Sequence, residues 1–263
     1  MAFAQAARMR PIAGAVATLG VSDRVDFLRK TYGLLGVALV AFAALTAGIL
    51  KFATATSFAF SKFAFGGSGY AWLAVLAVFM VTGMIAQRLA MSPSSRALQY
   101  LGLGIGVAAW SLLLQPLLWV LMLEFGGREM LANGGFTLQV ALSAEAAHIL
   151  GEAVILTLAI FGGLTATVFV TKKDFSFMRG ALTIASFAFL GIIVASVIFG
   201  FHMGALWCGF GILLMAGYIL YQTSLVMSYF PPTGYVAASL MLFSTVATLF
   251  WYVLNLLMEM NRR

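Results

Sequence analysis

Glu145, His148 and Glu152 stand at i, i+3 and i+7, which places all three on one face of a helix. A histidine between two carboxylates suits the holding of a divalent metal or a proton. With His202, further along the chain, they would form the donor set of a metal-assisted hydrolase. The same pattern also describes an interfacial polar face whose first carboxylate is favoured by the helix dipole. That plainer reading is the expectation: no metal site, no catalytic residue, no cofactor and no enzyme. The chain holds two His and one Cys, Cys208, too few for a zinc motif or an internal disulfide.

A second pattern is Gly102, Gly104 and Gly106, which has the look of a dinucleotide fingerprint. It lies inside an apolar run rather than between a strand and a helix. Gly102 and Gly106 then read as a small-residue stripe for close helix packing. Gly162, Gly163, Gly209 and Gly211 are expected to serve the same purpose.

The elements that carry these residues follow from composition. Of 263 residues, 63% are hydrophobic and 9% are charged, and Phe (23) outnumbers Lys and Arg together (15). There is too little polar surface to cover a soluble core. An outer-membrane barrel would alternate polar and apolar residues and have a more modest average hydrophobicity. The fold class is therefore all-α, a polytopic helical membrane protein with the lipid bilayer as its first partner. The net charge of +7 is read as membrane topology, not as nucleic-acid binding.

Seven apolar windows are long enough to cross, at about Tyr32–Leu50, Ala71–Ala86, Leu101–Leu123, Ala153–Val170, Ala181–Phe199, Ala205–Met227 and Tyr235–Leu257. The second is expected to extend a turn past Gln87. None contains Asp, Glu, Lys or Arg, which argues against a proton relay or a carboxylate-lined pore. It does not exclude a channel lined by carbonyls and hydroxyls. Pro116 is expected to kink the third span, with Gln115 bonding the carbonyl that Pro116 frees.

Orientation comes from the basic residues. With the N-terminus cytoplasmic, the inner side holds Arg8, Arg10, Arg24, Arg29, Lys30, Arg88, Arg96, Lys172, Lys173 and Arg179. The outer side then holds only Lys51, Lys62, Arg128, Arg262 and Arg263. The excess favours N-inside and C-outside. The organisation reads as a tail over 1–30, a membrane domain over 31–258 and a short C-terminal tail over 259–263. Ser22, Asp23 and Asp26 mark the start of a helix that runs into the first span. The long segments Lys51–Gly69 and Glu124–Ala144 are expected as outer loops. An Arg-bearing, acid-free N-terminus also suits a transit peptide, although a cytoplasmic tail is the simpler reading.

The short loop Pro231, Pro232, Thr233 and Gly234 makes the sixth and seventh spans antiparallel neighbours. Gln222 lies about 14 Å of helix before it and Thr245 about 16 Å after it. At that common depth they either hydrogen-bond to each other or Thr245 bonds its own helix backbone.

The run Thr171, Lys172, Lys173, Asp174, Phe175, Ser176 and Phe177 resembles the signature of the Bax inhibitor family of membrane proteins. Gly217 to Ser224, Tyr235 to Phe250, and Phe27 to Tyr32 are similar to other parts of that family. The resemblance implies seven helices with the last packed centrally. It also implies an Asp in each of the last two spans, a pH-sensitive latch for calcium leak. Those positions read Gln222 and Thr245 here, and an Arg common near the start of the last span is replaced by Ala237. The pattern Tyr221, Gln222, Thr223, Ser224 is nearest to the bacterial YccA-like branch, which is associated with the membrane AAA protease FtsH. The resemblance thus implies a bacterial inner-membrane protein that partners or modulates an FtsH-type protease, with a mitochondrial inner membrane the lesser alternative. A second reading is a calcium or cation leak without its pH sensor, with calcium ions as the partner.

Overall fold

A computed structural model describes residues 20–66, 69–93, 95–126, 143–200 and 204–262. Within these, eight helices follow one another: α1 (Val21–Phe52), α2 (Thr54–Gly66), α3 (Gly69–Ala90), α4 (Arg96–Phe125), α5 (Ala144–Thr171), α6 (Arg179–Phe199), α7 (Ala205–Ser228) and α8 (Tyr235–Asn261). Seven of them, all but α2, are long and apolar enough to span a bilayer. Single 3₁₀ turns at Ser176–Met178 and Pro232–Gly234 lead into α6 and α8.

The helix α8 packs on α1, α3, α4, α5 and α7. Its residues Val236, Leu242, Phe243, Leu249 and Leu254 are fully buried. Lipid gives no hydrophobic drive for helix association, so close fit and interhelical hydrogen bonds hold such a bundle together. Aromatic pairs supply much of the fit: Phe42 meets Phe243 edge-on at 5.7 Å, and Trp72 stacks on Trp251 at 5.8 Å. The helix α4 is a second central element, buried along most of its length and running unbroken through Pro116. By contrast α3 and α6, which touch each other, turn most of their surface outward.

Several expectations change. The segment expected as an outer loop, Lys51–Gly69, is largely the helix α2. At 13 residues it is too short to span, but Ser57, Ser61 and Ala64 bury one face against the bundle, chiefly on α4. The helix start read at Ser22 to Asp26 is present, with α1 beginning at Val21, and α8 continues to Asn261. Residues 21–30 are helical because Asp23 lies in the first turn and Phe27 is buried against the core. Residues 1–19 and residues 127–142, with Arg128 and most of the expected outer loop, lie outside the described residues.

The glycines divide by what they face. A Cβ on Gly102 would lie 2.5 Å from the Ala86 carbonyl oxygen and 2.6 Å from the Ala90 nitrogen, so α3 and α4 touch backbone to backbone. One on Gly106 would strike Leu240 of α8, and one on Gly211 the ring of Tyr252. Gly162, Gly163 and Gly209, expected to pack in the same way, have nothing within 4 Å and face outward. At the far end of the bundle, Arg262 donates to both carboxylate oxygens of Glu124 (2.8 and 2.7 Å) and to Glu259 (3.0 Å). That clamp ties the end of α8 to the end of α4.

Candidate functional site

The hairpin of α7 and α8 places Gln222 and Thr245 face to face. The Thr245 hydroxyl donates to Gln222 Oε1 at 2.8 Å and also lies 3.2 Å from the Met241 carbonyl of its own helix. Both alternatives left open by spacing are therefore present, with one proton shared between two acceptors. Both residues are buried. Neither side chain titrates, so this contact holds no charge at any ordinary pH.

Elsewhere in the interior the hydroxyls of Tyr32 (α1), Thr165 (α5) and Thr223 (α7) are buried without a hydrogen bond of ordinary geometry, although the Thr223 hydroxyl faces the Tyr32 phenol. The Tyr32 ring packs on Phe169 at 5.5 Å, one helical turn from Thr165. Threonines in helices usually bond the carbonyl four residues back, as Thr157 does to Ala153. Thr165 and Thr223 do not, so their oxygens stay in the interior without that bond.

The run from Thr171 to Phe177 forms the turn between α5 and α6. Lys172 closes α5 in the left-handed conformation (φ 50°), donating its N–H to the Val168 carbonyl at 2.9 Å. Asp174 then accepts from the Ser176 N–H at 2.8 Å, which starts the 3₁₀ turn, and from the Tyr229 hydroxyl at 3.2 Å. The Phe175 N–H donates to Ser224 Oγ at 3.2 Å. Thus the turn is docked on the end of α7, two residues from Gln222. Lys172, Lys173 and Phe177 are left exposed. Burial, and then the Asp174 carboxylate, push the Tyr229 phenol up from its ordinary value.

The acidic face at the start of α5 is sparser. Ser143 caps the helix by accepting from the Ala146 N–H at 3.0 Å, and Glu145 sits in the first turn. His148 Nδ1 lies 3.5 Å from Glu152 Oε1, both well exposed. His202 lies outside the described residues. Among the described residues no three His, Cys, Asp or Glu side chains gather as a metal site.

Comparison with known proteins gives the family. A family model described as "Inhibitor of apoptosis-promoting Bax1" matches residues 130–263. Bax inhibitor 1 of Schizosaccharomyces pombe is 30% identical over 247 residues, 92% of this chain and 79% of that protein. The chain belongs to the Bax inhibitor family. A Golgi anti-apoptotic protein of vaccinia virus is 31% identical over 140 residues, 49% of this chain and 57% of the viral protein. An uncharacterised membrane protein of Vibrio cholerae is 31% identical over 118 residues, 43% of this chain and 51% of that protein. No solved structure matches.

Within this Bax inhibitor fold, one polar network had no signal in the sequence beyond Gln115 itself. Ser57 of α2 donates to Gln115 Oε1 at 2.7 Å and accepts from the Trp119 indole at 2.8 Å. Gln115 Nε2 in turn donates to the carbonyls of Ser111 (2.9 Å) and Thr46 (3.4 Å). The expected bond from Gln115 to the carbonyl freed by Pro116 is not made; Ser111, one residue earlier, receives it. The reason is the side-chain amide's second task, which is to hold α2 against α1 and α4. An apolar cavity of about 570 Å³ lies beside this network, lined from α2, α3 and α4 by residues such as Phe60, Val78, Phe79 and Leu112.

Proposed function

We propose that this Bax inhibitor family member is an interaction protein of the YccA-like kind, a partner or modulator of an FtsH-type membrane protease in membrane-protein quality control. The observation that carries the reading is the Gln222–Thr245 hydrogen bond. Where the family resemblance implies a titrating carboxylate pair, two neutral side chains satisfy each other, and a pH-gated leak has no proton to read. The outward faces of α3 and α6 support it, because two adjoining spans offer a broad apolar surface to another membrane helix. In this reading the chain catalyses nothing itself. It sits in a bacterial inner membrane with the N-terminus cytoplasmic, the orientation that the basic-residue excess favours, and residues 1–22 are the segment presented to the protease. Two measurements test it. The tagged protein, drawn from its native membrane in mild detergent, should bring down the protease in near-stoichiometric amount. Deleting residues 1–22 should slow its turnover in cells while the protein still folds. Recovery alone together with unchanged turnover would overturn the reading.

A second reading, a constitutive calcium or cation leak, is favoured by the buried hydroxyls of Tyr32, Thr165 and Thr223, which make no hydrogen bond of ordinary geometry. Uncharged oxygens can replace part of a cation's hydration shell. Flux into liposomes would then persist with no steep change between about pH 6 and 8, since no group here titrates in that range. The double change Gln222→Asp with Thr245→Asp should create a pH dependence. Absence of flux in both proteins would end this reading.

A further inference from the structure

At the end of the bundle where α1, α4 and α8 begin, a cavity of about 510 Å³ opens between α1 and a pair of tyrosines. Its rim is polar. Asp26, Arg29 and Lys30 line it from α1, and Tyr100 and Tyr235 from α4 and α8. The Arg96 guanidinium lies over the Tyr235 ring at 5.0 Å, so a third cation stands at the same edge. Lys30 is held by Asp26 at 2.6 Å. Arg29 and Arg96 make no salt bridge among the described residues. The two phenol oxygens are 3.0 Å apart. One hydroxyl proton lies between them, and the other remains free to donate outward.

The floor of the same cavity is apolar. Gly33, Leu34 and Val37 line it below Arg29. Arg29, Gly33 and Val37 follow one another at four-residue intervals, so they form a stripe about 12 Å long down one face of α1. Gly33 leaves that stripe hollow: a Cβ built there would meet nothing within 4 Å. The site therefore places the Arg29 guanidinium and a free hydroxyl at the level of the membrane surface, with Arg96 over the Tyr235 ring beside them. Beneath them runs a groove into the hydrocarbon.

We propose that this cavity binds an anionic phospholipid of the adjacent leaflet, its phosphate against Arg29, Arg96 and the Tyr100–Tyr235 pair and one acyl chain along Gly33 and Val37. Charge complementarity selects the phosphate, and the planar guanidinium groups suit it better than an ammonium would. The apolar floor selects a lipid over a soluble phosphate. Basic pockets between spanning helices are a known setting for such headgroups.

The test uses the full-length protein in mild detergent. It is offered equal amounts of phosphatidylglycerol and phosphatidylcholine with the same chains, and retained lipid is counted by native mass spectrometry. Phosphatidylglycerol should be retained preferentially. Arg29→Gln and Arg96→Gln should each weaken that retention about fivefold, as expected for one surface cation. Gly33→Leu fills the groove and keeps every charge, and it should abolish retention while leaving the helix intact. Glycerol phosphate, the headgroup chemistry without chains, should not compete. Equal retention of the two lipids would overturn the proposal. So would phosphatidylglycerol binding that survives both the arginine changes and Gly33→Leu. Competition by glycerol phosphate would instead show a soluble-phosphate site and overturn the lipid assignment.

Discussion

Thr245 reaches across from α8 to place its hydroxyl 2.8 Å from the amide oxygen of Gln222 on α7, inside the bundle. Thr245→Val removes the donor and keeps the shape, so Gln222 Oε1 loses its partner. The expected loss is about 0.5–2 kcal/mol of stability. A double-mutant cycle with Gln222→Leu, read by unfolding in mixed detergent, should recover that coupling. Thr248→Val is the control, because Thr248 bonds only the Ser244 carbonyl of its own helix. A Thr245 effect no larger than the control would mean that the cross-helix bond contributes nothing.

Gln115 holds α2 in place through Ser57. Gln115→Leu leaves the buried Ser57 hydroxyl without its acceptor, at a cost of about 1–3 kcal/mol. Because α2 is too short to be held by the bilayer, the loss should appear locally. Amide exchange over residues 54–66 should quicken while α8 stays protected. Uniform exchange in both helices would show that the network stabilises the bundle and not α2.

Gly102 and Gly162 make a matched pair of tests. Gly102→Ala forces a methyl group against backbone atoms of α3 that cannot turn aside, and should destabilise by about 1–3 kcal/mol. Gly162→Ala meets open space, and the gain in helix propensity should leave stability unchanged or raise it by about 0.5–1 kcal/mol. Thermal unfolding of the two variants side by side decides the matter; similar losses would contradict the close α3–α4 contact.

Tyr229 gives the turn between α5 and α6 a pH limit. Its phenol is raised by burial and by Asp174, so the folded form favours the protonated state. That contribution is fully present below the ordinary phenol value of about 10 and is lost as pH climbs through the raised value. Melting temperature should therefore fall at alkaline pH in the unaltered protein, and part of that fall should vanish in Tyr229→Phe. Superimposable pH profiles would show that the contact with Asp174 carries no linkage.

The spans were legible without coordinates because the bilayer imposes a length and an apolar character on any helix that crosses it. That constraint acts on each segment alone. The common depth of Gln222 and Thr245 was legible for a similar reason, since a short loop and a fixed rise per residue set it. Rotation about each helix axis is a different matter. It decides that Thr245 meets Gln222, that Gly102 touches α3 while Gly162 faces outward, and that Arg29 and two tyrosines gather at one cavity with Arg96 over one of the rings. The helix α2 is the plainest case. Ser57, Ser61 and Lys62 interrupt its apolar run, so it reads as a loop. The Ser61 hydroxyl bonds the Ser57 carbonyl of its own helix, but the Ser57 hydroxyl finds its partners only when Gln115 and Trp119 come beside it, and that face becomes a buried one. Hydropathy belongs to the sequence, whereas hydrogen-bond satisfaction belongs to pairs of groups that only the folded bundle brings together.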